Sequence, residues 1–220
     1  MTAPRTTPLQ NRVNPFGEVF AIHERGLFMG NRGGCFHNDD QTLTRARWTS
    51  RQWITCVLEF KNRKRKLMQP GLYTELFFLD EATALAAGHR PCFECRRADS
   101  LRFFDAVRAG VPGLVTGGKK LYVDTVDRRL HEERVGARSK AKLTTVAALA
   151  ELPDGAMVAL PGDAAQAYLV MAGKLLPWSF GGYGAPITAP DGTVAVLTPP
   201  TTVAALRAGY VPLVHPSAKL

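Results

Sequence analysis

The sequence predicts an α+β fold in which a small antiparallel sheet, with helices around a Cys-x-x-Cys segment, precedes a β-rich C-terminal lobe. Three observations lead to this prediction. Short runs between residues 16 and 79 alternate apolar and polar side chains with a period of two, which indicates strands. Segments with helical periodicity and capping residues follow between residues 80 and 135. Residues 134–142 are then basic, rich in turn formers and without apolar periodicity, so we place a soft boundary there.

The chain has 220 residues and is 45% apolar, which is enough for a packed core without disulfide bonds. We expect a flexible arm over residues 1–12, a first unit with a helical extension over residues 13–135, and a small β-rich lobe over residues 143–220. No apolar run is long enough to cross a membrane, and the first residues have no apolar signal core. We therefore expect a cytoplasmic protein without a membrane partner.

The predicted strands of the first unit are separated by polar turns. In order they are GEVFAI, GLFMG, GGCFHN, RQWITCVLEFK and LYTELFFL, at residues 17–22, 26–30, 33–38, 51–61 and 72–79. In the fourth strand, four side chains share one face: Ile54, Cys56, Leu58 and Phe60. A basic tip, KNRKRK, joins the last two strands, which we expect to pair as a hairpin.

Three helices are predicted after these strands. The first begins after Asp80, which suits the N-cap, and ends at Gly88, which suits the position after a helix. The second covers residues 98–110 and the third residues 119–135. The C-terminal lobe is expected to contain short strands and one helix, at residues 154–162, 166–173, 193–200 and 201–209.

Positive charge is concentrated in one part of the chain. The formal net charge is +9, and residues 45–66 carry most of the local excess. Such density favours a polyanionic partner, for which DNA is the leading candidate, although a solvated basic face that aids solubility is the alternative. The residues predicted to contact nucleic acid are Arg45, Arg47, Arg51, Arg63, Lys64, Arg65, Lys66, Arg96 and Arg97.

The Cys-x-x-Cys pair at Cys92 and Cys95 is predicted to bind zinc. Two thiolates at the start of a helix can converge on one ion, whereas a redox pair would follow an apolar strand rather than a helix and a proline. A structural zinc takes four ligands, and Cys35 and His37 alternate on a predicted strand. We therefore predict Cys35, His37, Cys92 and Cys95 as the ligands. Cys56 is the alternative fourth ligand in place of Cys35, unless it is a small buried core residue.

The segment FFLDEATALAAGHRPCFECRR resembles the second half of the zinc-binding N-terminal domain of the Ada DNA-repair protein, in which a strand, a helix ending A-A-G, an R-P pair and C-x-x-C follow in that order. LFMGNRGGCFH is similar to the strand that delivers the first ligand, which places His37 there. The resemblance covers about Gly26 to Arg97, and its second half is the more specific. The expected second ligand falls at Gln41, which cannot bind zinc.

The resemblance implies a zinc protein that binds DNA in damage recognition or repair. The family accepts a methyl group from a DNA phosphotriester on a zinc-bound cysteine of its first ligand pair. His37 stands at the aligned position, which questions that role here and leaves Cys35 as the candidate nucleophile. The main hypothesis is therefore a DNA-binding protein with a mainly structural zinc.

Two further hypotheses remain open. The third predicted helix places Asp127 and His131 on one face, where they could act as acid and base in an enzyme on nucleic acid or a nucleobase. Trp178, Phe180 and Tyr183 would then hold the substrate, unless they simply close the lobe. Otherwise the chain is an interaction module with purely structural zinc. The sequence contains no P-loop or dinucleotide motif, so we expect no nucleotide cofactor.

Overall fold

The computed structural model describes residues 8–63, 66–114 and 120–220, and within them it confirms the α+β class. Two sheets and four α-helices are present in this part of the chain. None of these helices is both long enough and apolar enough to cross a membrane.

The first sheet is mixed rather than antiparallel, and it contains six strands: β1 (Gln10–Val13), β2 (Val19–Ala21), β3 (Phe28–Arg32), β4 (Trp53–Val57), β5 (Leu76–Phe78) and β6 (Arg90–Pro91). Their order is β2-β1-β5-β3-β4-β6. The pairs β1–β5 and β4–β6 are parallel, and long connections join their members, as parallel pairing requires. Part of the predicted N-terminal arm therefore lies in the sheet as β1.

The predicted hairpin of the fourth and fifth strands is wrong, because β3 lies between β4 and β5. Met29 of β3 is the partner of both Cys56 and Phe77. Paired residues of antiparallel strands point to the same side, so these three side chains form a row across one face of the sheet. The same pairing places Arg32 opposite Trp53 on the other face.

The predicted strand at residues 33–38 does not form. Gly33 has a φ of +94°, which turns the chain away after β3, and a Cβ there would lie 2.0 Å from the Ser50 side-chain oxygen. Residues 33–38 contribute one isolated bridge, between His37 and Leu43.

The predicted helices are present with small changes in their ends: α1 (Glu81–Ala86), α2 (Arg97–Gly110), α3 (Val123–Arg134) and α4 (Pro200–Arg207). Asp80 is the N-cap of α1, as predicted, and its carboxylate accepts a hydrogen bond from the backbone N–H of Thr83 at 2.8 Å. Gly88 adopts a φ of +87° after this helix, as expected of a left-handed residue at a helix end.

The C-terminal region forms the second sheet: β7 (Thr145–Ala148), β8 (Met157–Leu160), β9 (Asp163–Met171), β10 (Lys174–Ser179), β11 (Gly182–Tyr183), β12 (Ile187–Thr188) and β13 (Thr193–Val196). The order is β11-β10-β9-β8-β13-β7, with β12 paired to β10. Its apolar face packs against α2, α3 and α4.

Helix α1 connects the two halves of the core, and every one of its residues is buried. Ala82 and Ala86 pack with side chains of the second sheet, whereas Ala84 packs with side chains of the first. Small side chains allow both sheets to approach the helix closely. The segment that leads to Cys92 therefore begins at a buried helix and continues into β6, which pairs with β4.

Candidate metal centre

The cysteines Cys56 and Cys92 become neighbours through the parallel pairing of β4 and β6. Ile54 pairs with Arg90 and Thr55 with Pro91, and the N–H of Cys92 then donates to the Thr55 carbonyl at 3.0 Å. The next residue on each strand is a cysteine. The pairing of β4 with β6, whose paired residues are 36 positions apart in the chain, therefore brings the Cys56 thiol to the Cys-x-x-Cys segment.

The Cys-x-x-Cys segment is a tight turn immediately before α2. The N–H of Arg96 donates to the Cys92 carbonyl at 2.9 Å, which closes the turn. The N–H of Glu94 points at the Cys92 sulfur, 3.4 Å away. Backbone N–H groups directed at a sulfur stabilise a thiolate, and the adjoining N-terminus of α2 adds to this effect.

Three thiols thus converge, and none of the four cysteines forms a disulfide. The sulfurs of Cys56, Cys92 and Cys95 all lie within 4.8 Å of one another. A tetrahedral zinc with Zn–S bonds of about 2.3 Å would hold its sulfurs roughly 3.8 Å apart, so a small closure of this group fits such an ion. These three cysteines are close enough to bind a metal ion.

The thiols also share a proton network. The pKa of Cys92 is lowered, because the Cys56 and Cys95 thiols and backbone N–H groups stabilise its thiolate. The pKa of Cys56 is raised in turn, because its thiol donates a hydrogen bond to Cys92. Deprotonated thiols are the form that binds a metal, so the arrangement already favours one ligand in that state.

The three cysteines line an open pocket of about 750 Å³. One side of it is the partly exposed face of β3 and β4, with Met29, Asn31 and Ile54. The remaining apolar lining comes from the segment between β4 and β5 and from β5 itself: Leu58, Phe60, Leu67, Tyr73 and Phe77. Cys92 is buried, whereas Cys56 and Cys95 are partly exposed. The group is therefore accessible from a cavity of ligand-binding size.

The predicted ligand set is assembled only in part. Cys92 and Cys95 belong to the group, and Cys56, the alternative, supplies its third sulfur. Cys35 and His37 do not belong to it. The Cys35 sulfur lies 3.7 Å from Nδ1 of His37. The same Nδ1 forms a hydrogen bond with the Thr74 hydroxyl at 2.7 Å, and Nε2 forms one with the Gln69 carbonyl at 3.2 Å. With residues 33–38 out of the sheet, neither side chain is directed to the Cys-x-x-Cys turn.

Asp127 and His131, the predicted acid–base pair, each contact other residues rather than one another. Asp127 is buried and accepts two hydrogen bonds from Arg90, both of 2.7 Å. The ring of His131 instead lies beside Trp48, and its Nδ1 accepts a hydrogen bond from Arg134 at 3.1 Å. Burial and the charge of Arg134 lower the pKa of His131 to about 4. No hydrogen bond joins the two side chains in the described part of the chain, and each one has a structural contact of its own.

Most of the aromatic residues that could hold a substrate are buried in the core instead. Trp178 and Tyr183 are buried, and the Tyr183 hydroxyl donates to the carboxylate of Asp80 at 2.7 Å. The Trp178 ring N–H donates to the Thr83 hydroxyl at 3.0 Å. Phe180, which is partly buried, packs on Trp178. These rings close the second sheet over α1.

Most of the predicted DNA contacts are exposed. Lys64 and Arg65 lie outside the described residues, and six of the others are at the surface: Arg45, Arg47, Arg51, Arg63, Lys66 and Arg97. Arg96 is a correction, because it is buried and forms ion pairs with Glu81 at 2.8 Å and with Asp99 at 2.7 Å. Its charge is used inside the fold and cannot reach a phosphate.

No protein-family model matches this chain, and neither the curated proteins nor the solved structures contain a match. The function must therefore be argued from the site itself. The sequence left two interpretations of Cys56, a ligand in place of Cys35 or a small buried core residue. Its place among the three thiols depends on the parallel pairing of β4 and β6, which no local sequence pattern indicates.

Proposed function

We propose that the protein is a zinc-thiolate protein that binds DNA, with Cys56, Cys92 and Cys95 as the zinc ligands. The observation that carries the proposal is the convergence of three free thiols on the wall of an open pocket. Zinc suits this donor set because thiolates select soft or borderline metals and zinc tolerates three or four of them. When bound, zinc keeps the thiolates deprotonated at neutral pH.

The number of protein ligands favours a reactive centre over a purely structural one. Structural zinc sites are closed by four protein ligands, whereas reactive sites have three and leave one position for solvent or substrate. No fourth Cys, His, Asp or Glu joins the group among the described residues. The pocket in front of the thiols supplies the access that such a position needs.

Exposed basic side chains support a DNA partner, although the lining of the pocket itself also includes Glu59, Glu75 and Glu94. Arg63 lines it and Lys66 is exposed in the same connection between β4 and β5. Arg97 follows directly after the Cys-x-x-Cys turn and is exposed. Phosphates bound by these side chains would hold a DNA strand over the pocket.

The resemblance to the Ada domain suggests the reaction, which is repair of a methylated DNA phosphate. The candidate acceptor is Cys56, because the family's acceptor belongs to the ligands that precede the C-x-x-C pair, and Cys56 is the one proposed ligand that does so. Its thiolate sulfur would attack the methyl carbon of a phosphotriester. The C–O bond breaks with its electron pair on the phosphate oxygen, which leaves a phosphodiester anion and S-methylcysteine. The charge of the thiolate passes to the diester, and no proton is transferred.

The first experiment is metal analysis of the purified protein and of Cys92→Ser, with Cys35→Ser as the matched control. We expect about one zinc per chain in the wild type and in the control, and almost none in Cys92→Ser, since two thiolates hold zinc far more weakly than three. Equal metal content in all three proteins, or no metal in the wild type, would show that the thiol group is not a zinc site.

The second experiment separates DNA binding from the reaction. DNA affinity measured at two salt concentrations should fall steeply with salt if phosphates are bound. Zinc-loaded protein is then incubated with DNA that carries methyl phosphotriesters, and its cysteine peptides are weighed by mass spectrometry. We expect the added methyl group on Cys56 in the wild type and in Cys35→Ser, and none in Cys56→Ser. Salt-sensitive binding without methylation would restrict the centre to a structural role.

A further inference from the structure

The opposite face of the β3–β4 pair carries a buried group of positive charges. Arg32 and Arg134 are 2% and 1% exposed, and they lie on the ring of Trp53, with guanidinium carbons 4.1 and 4.0 Å from its centroid. Lys142 lies in the same place and donates to the Ala86 carbonyl at 2.7 Å. The segment that the sequence presented as a boundary therefore contributes two cations to this group.

The hydrogen-bond acceptors around these cations are neutral. Arg32 donates to the Gly17 carbonyl at 2.9 Å and to Nε2 of His89 at 3.3 Å. Arg134 donates to the carbonyls of Gly88 and Arg51, both at 2.7 Å. The Nε of Arg134 is buried and has no hydrogen-bond partner in the described part of the chain. A donor of this kind is costly to bury, so it marks a place where an acceptor is missing.

No carboxylate neutralises the group. None of the ion pairs within the described ranges includes Arg32, Arg134 or Lys142. Asp127, whose negative charge acts on Arg134, is already bound on both oxygens by Arg90. Glu18, at the edge of the group, is exposed and accepts a hydrogen bond from Asn14.

The crowding of positive charges affects the pKa values of the group. Burial, together with the charges of Arg32 and Arg134, lowers the pKa of Lys142 to about 7. Burial also lowers the pKa of Arg32 to about 9. Uncompensated buried charges destabilise a fold, and an anion bound between them would remove that cost.

There is room for such an anion. The three cations line a pocket of about 630 Å³, which is within the range of small-molecule sites, roughly 300–1,000 Å³. Lys140 and Arg47 add further positive charge at its surface, and Glu18 adds one carboxylate. The lining also includes three aromatic rings: Phe16, Phe20 and Trp48. Trp48 is partly exposed and rests on Trp53, with ring centroids 5.7 Å apart.

We propose that this pocket binds a nucleotide, with its phosphate against Arg32, Arg134 and Lys142 and its base against Trp48. The phosphate supplies negative charge and the acceptor that Arg134 Nε lacks, and an aromatic ring next to a phosphate site is how bases are commonly held. The site uses no glycine-rich loop, so a search for phosphate-binding motifs does not find it. Both a free nucleotide and one nucleotide of a DNA strand offer this chemistry.

The test measures thermal stabilisation and binding of three probes: inorganic phosphate, AMP and a short single-stranded oligonucleotide, each against sodium chloride of equal ionic strength. A ligand that binds only the folded state raises the melting temperature. We expect stabilisation by phosphate, tighter binding of AMP than of phosphate, and quenching of tryptophan fluorescence by AMP. Tighter binding of AMP than of the oligonucleotide identifies a free nucleotide as the ligand, and the reverse identifies a strand.

The variants locate the site. Lys142→Met should weaken AMP binding by about tenfold or more, since one charge-assisted contact is lost, and Lys142→Arg should restore part of it. Lys174→Met, which removes an exposed lysine of β10, is the matched control and should bind as the wild type does. Trp48→Ala should weaken AMP binding more than phosphate binding.

The outcomes are independent of the metal proposal. Cys92→Ser should keep its response to phosphate and AMP, because Cys92 does not line this pocket. No stabilisation of the wild type by any of the three probes would overturn the proposal. So would equal AMP affinities in the wild type, Lys142→Met and Trp48→Ala.

Discussion

The two faces of the β3–β4 pair differ in chemistry, although successive residues of the same two strands supply both of them. On one face Cys56 and Ile54 border a pocket lined by thiols, apolar side chains and the carboxylates of three glutamates. On the other, Trp53 and Arg32 border a pocket lined by cations and aromatic rings. We call these the thiol face and the cationic face.

On the two proposals, one strand pair serves two ligands of opposite charge without mixing them. Each face concentrates one kind of group that is incomplete alone: thiols that need a cation, and buried cations that need an anion. The sheet between them separates the two environments. Each face is therefore expected to gain stability from its own ligand, and the following predictions test that symmetry.

The largest effect is expected on the thiol face, from removal of the metal. A chelator should lower the melting temperature of the zinc-loaded protein by about 10 °C, since a ligand at about a thousand times its dissociation constant contributes about 4 kcal/mol and each kcal/mol shifts the melting temperature by roughly 2–4 °C. Calorimetry with and without chelator measures it.

Cys92→Ser provides the control for this prediction, because it should have a low melting temperature that the chelator does not change further. Cys35→Ser should respond to the chelator as the wild type does. If chelation leaves the wild-type melting temperature unchanged, the thiol face does not depend on a cation and the symmetry fails.

The second prediction compares neighbours on β4 that point to opposite faces. Trp53→Ala should reduce the free energy of unfolding by about 3–5 kcal/mol, because it leaves a cavity beneath two buried guanidinium groups. Ile54→Ala, on the partly exposed thiol face, should cost less than about 2 kcal/mol. Urea denaturation of both variants measures the difference, and equal losses would contradict the assignment of the cationic face to the core.

Local patterns predicted the helices well, and the reason lies in their ends. Asp80 and Gly88 act through contacts with their own neighbours in the chain, so the sequence displays both the cap and the left-handed turn. The Cys-x-x-Cys turn is local in the same sense.

Contacts between distant residues could not be predicted in this way. Cys56 reaches Cys92 only because β6 joins the sheet beside β4, and residues 33–38 leave the sheet because Ser50 packs against Gly33. Arg134 and Lys142 come from a stretch without apolar periodicity, where nothing in the sequence indicates that they are drawn into a pocket with Arg32. Long-range pairing decides such positions, and it has no periodic signature.

The third prediction uses pH to show that the cationic face carries uncompensated charge. The pKa of Lys142 is about 7 in the folded protein and near its ordinary 10.5 when unfolded. Between these values the unfolded chain binds more protons, so Lys142 makes stability rise with pH in that window. In phosphate-free buffer, the free energy of unfolding should therefore rise less steeply from pH 7 to pH 10 in Lys142→Met than in the wild type.

The control for this prediction is Lys174→Met, which should leave the slope of the wild type intact because its side chain is exposed. Saturating phosphate should reduce the slope of the wild type, since a bound anion favours the charged lysine. Parallel curves for the wild type and Lys142→Met would mean that the lysine is solvated, and that the cationic face is not short of negative charge.

The smallest effect on stability is expected at the rim of the thiol face, from Arg63→Ala. Arg63 and Glu94 form an ion pair in which both side chains are more than half exposed, with relative exposures of 61% and 56%. Exposed pairs of this kind stabilise a fold very little, so urea denaturation should give the same midpoint as the wild type.

DNA affinity should respond instead, because loss of one phosphate contact reduces the slope of log affinity against log salt by about one. Arg128→Ala, which breaks a comparably exposed pair on α3 that is not among the proposed DNA contacts, is the matched control and should leave that slope unchanged. An equal change of slope in both variants would mean that DNA is attracted by net charge alone, and would contradict the proposal that DNA binds at the thiol face.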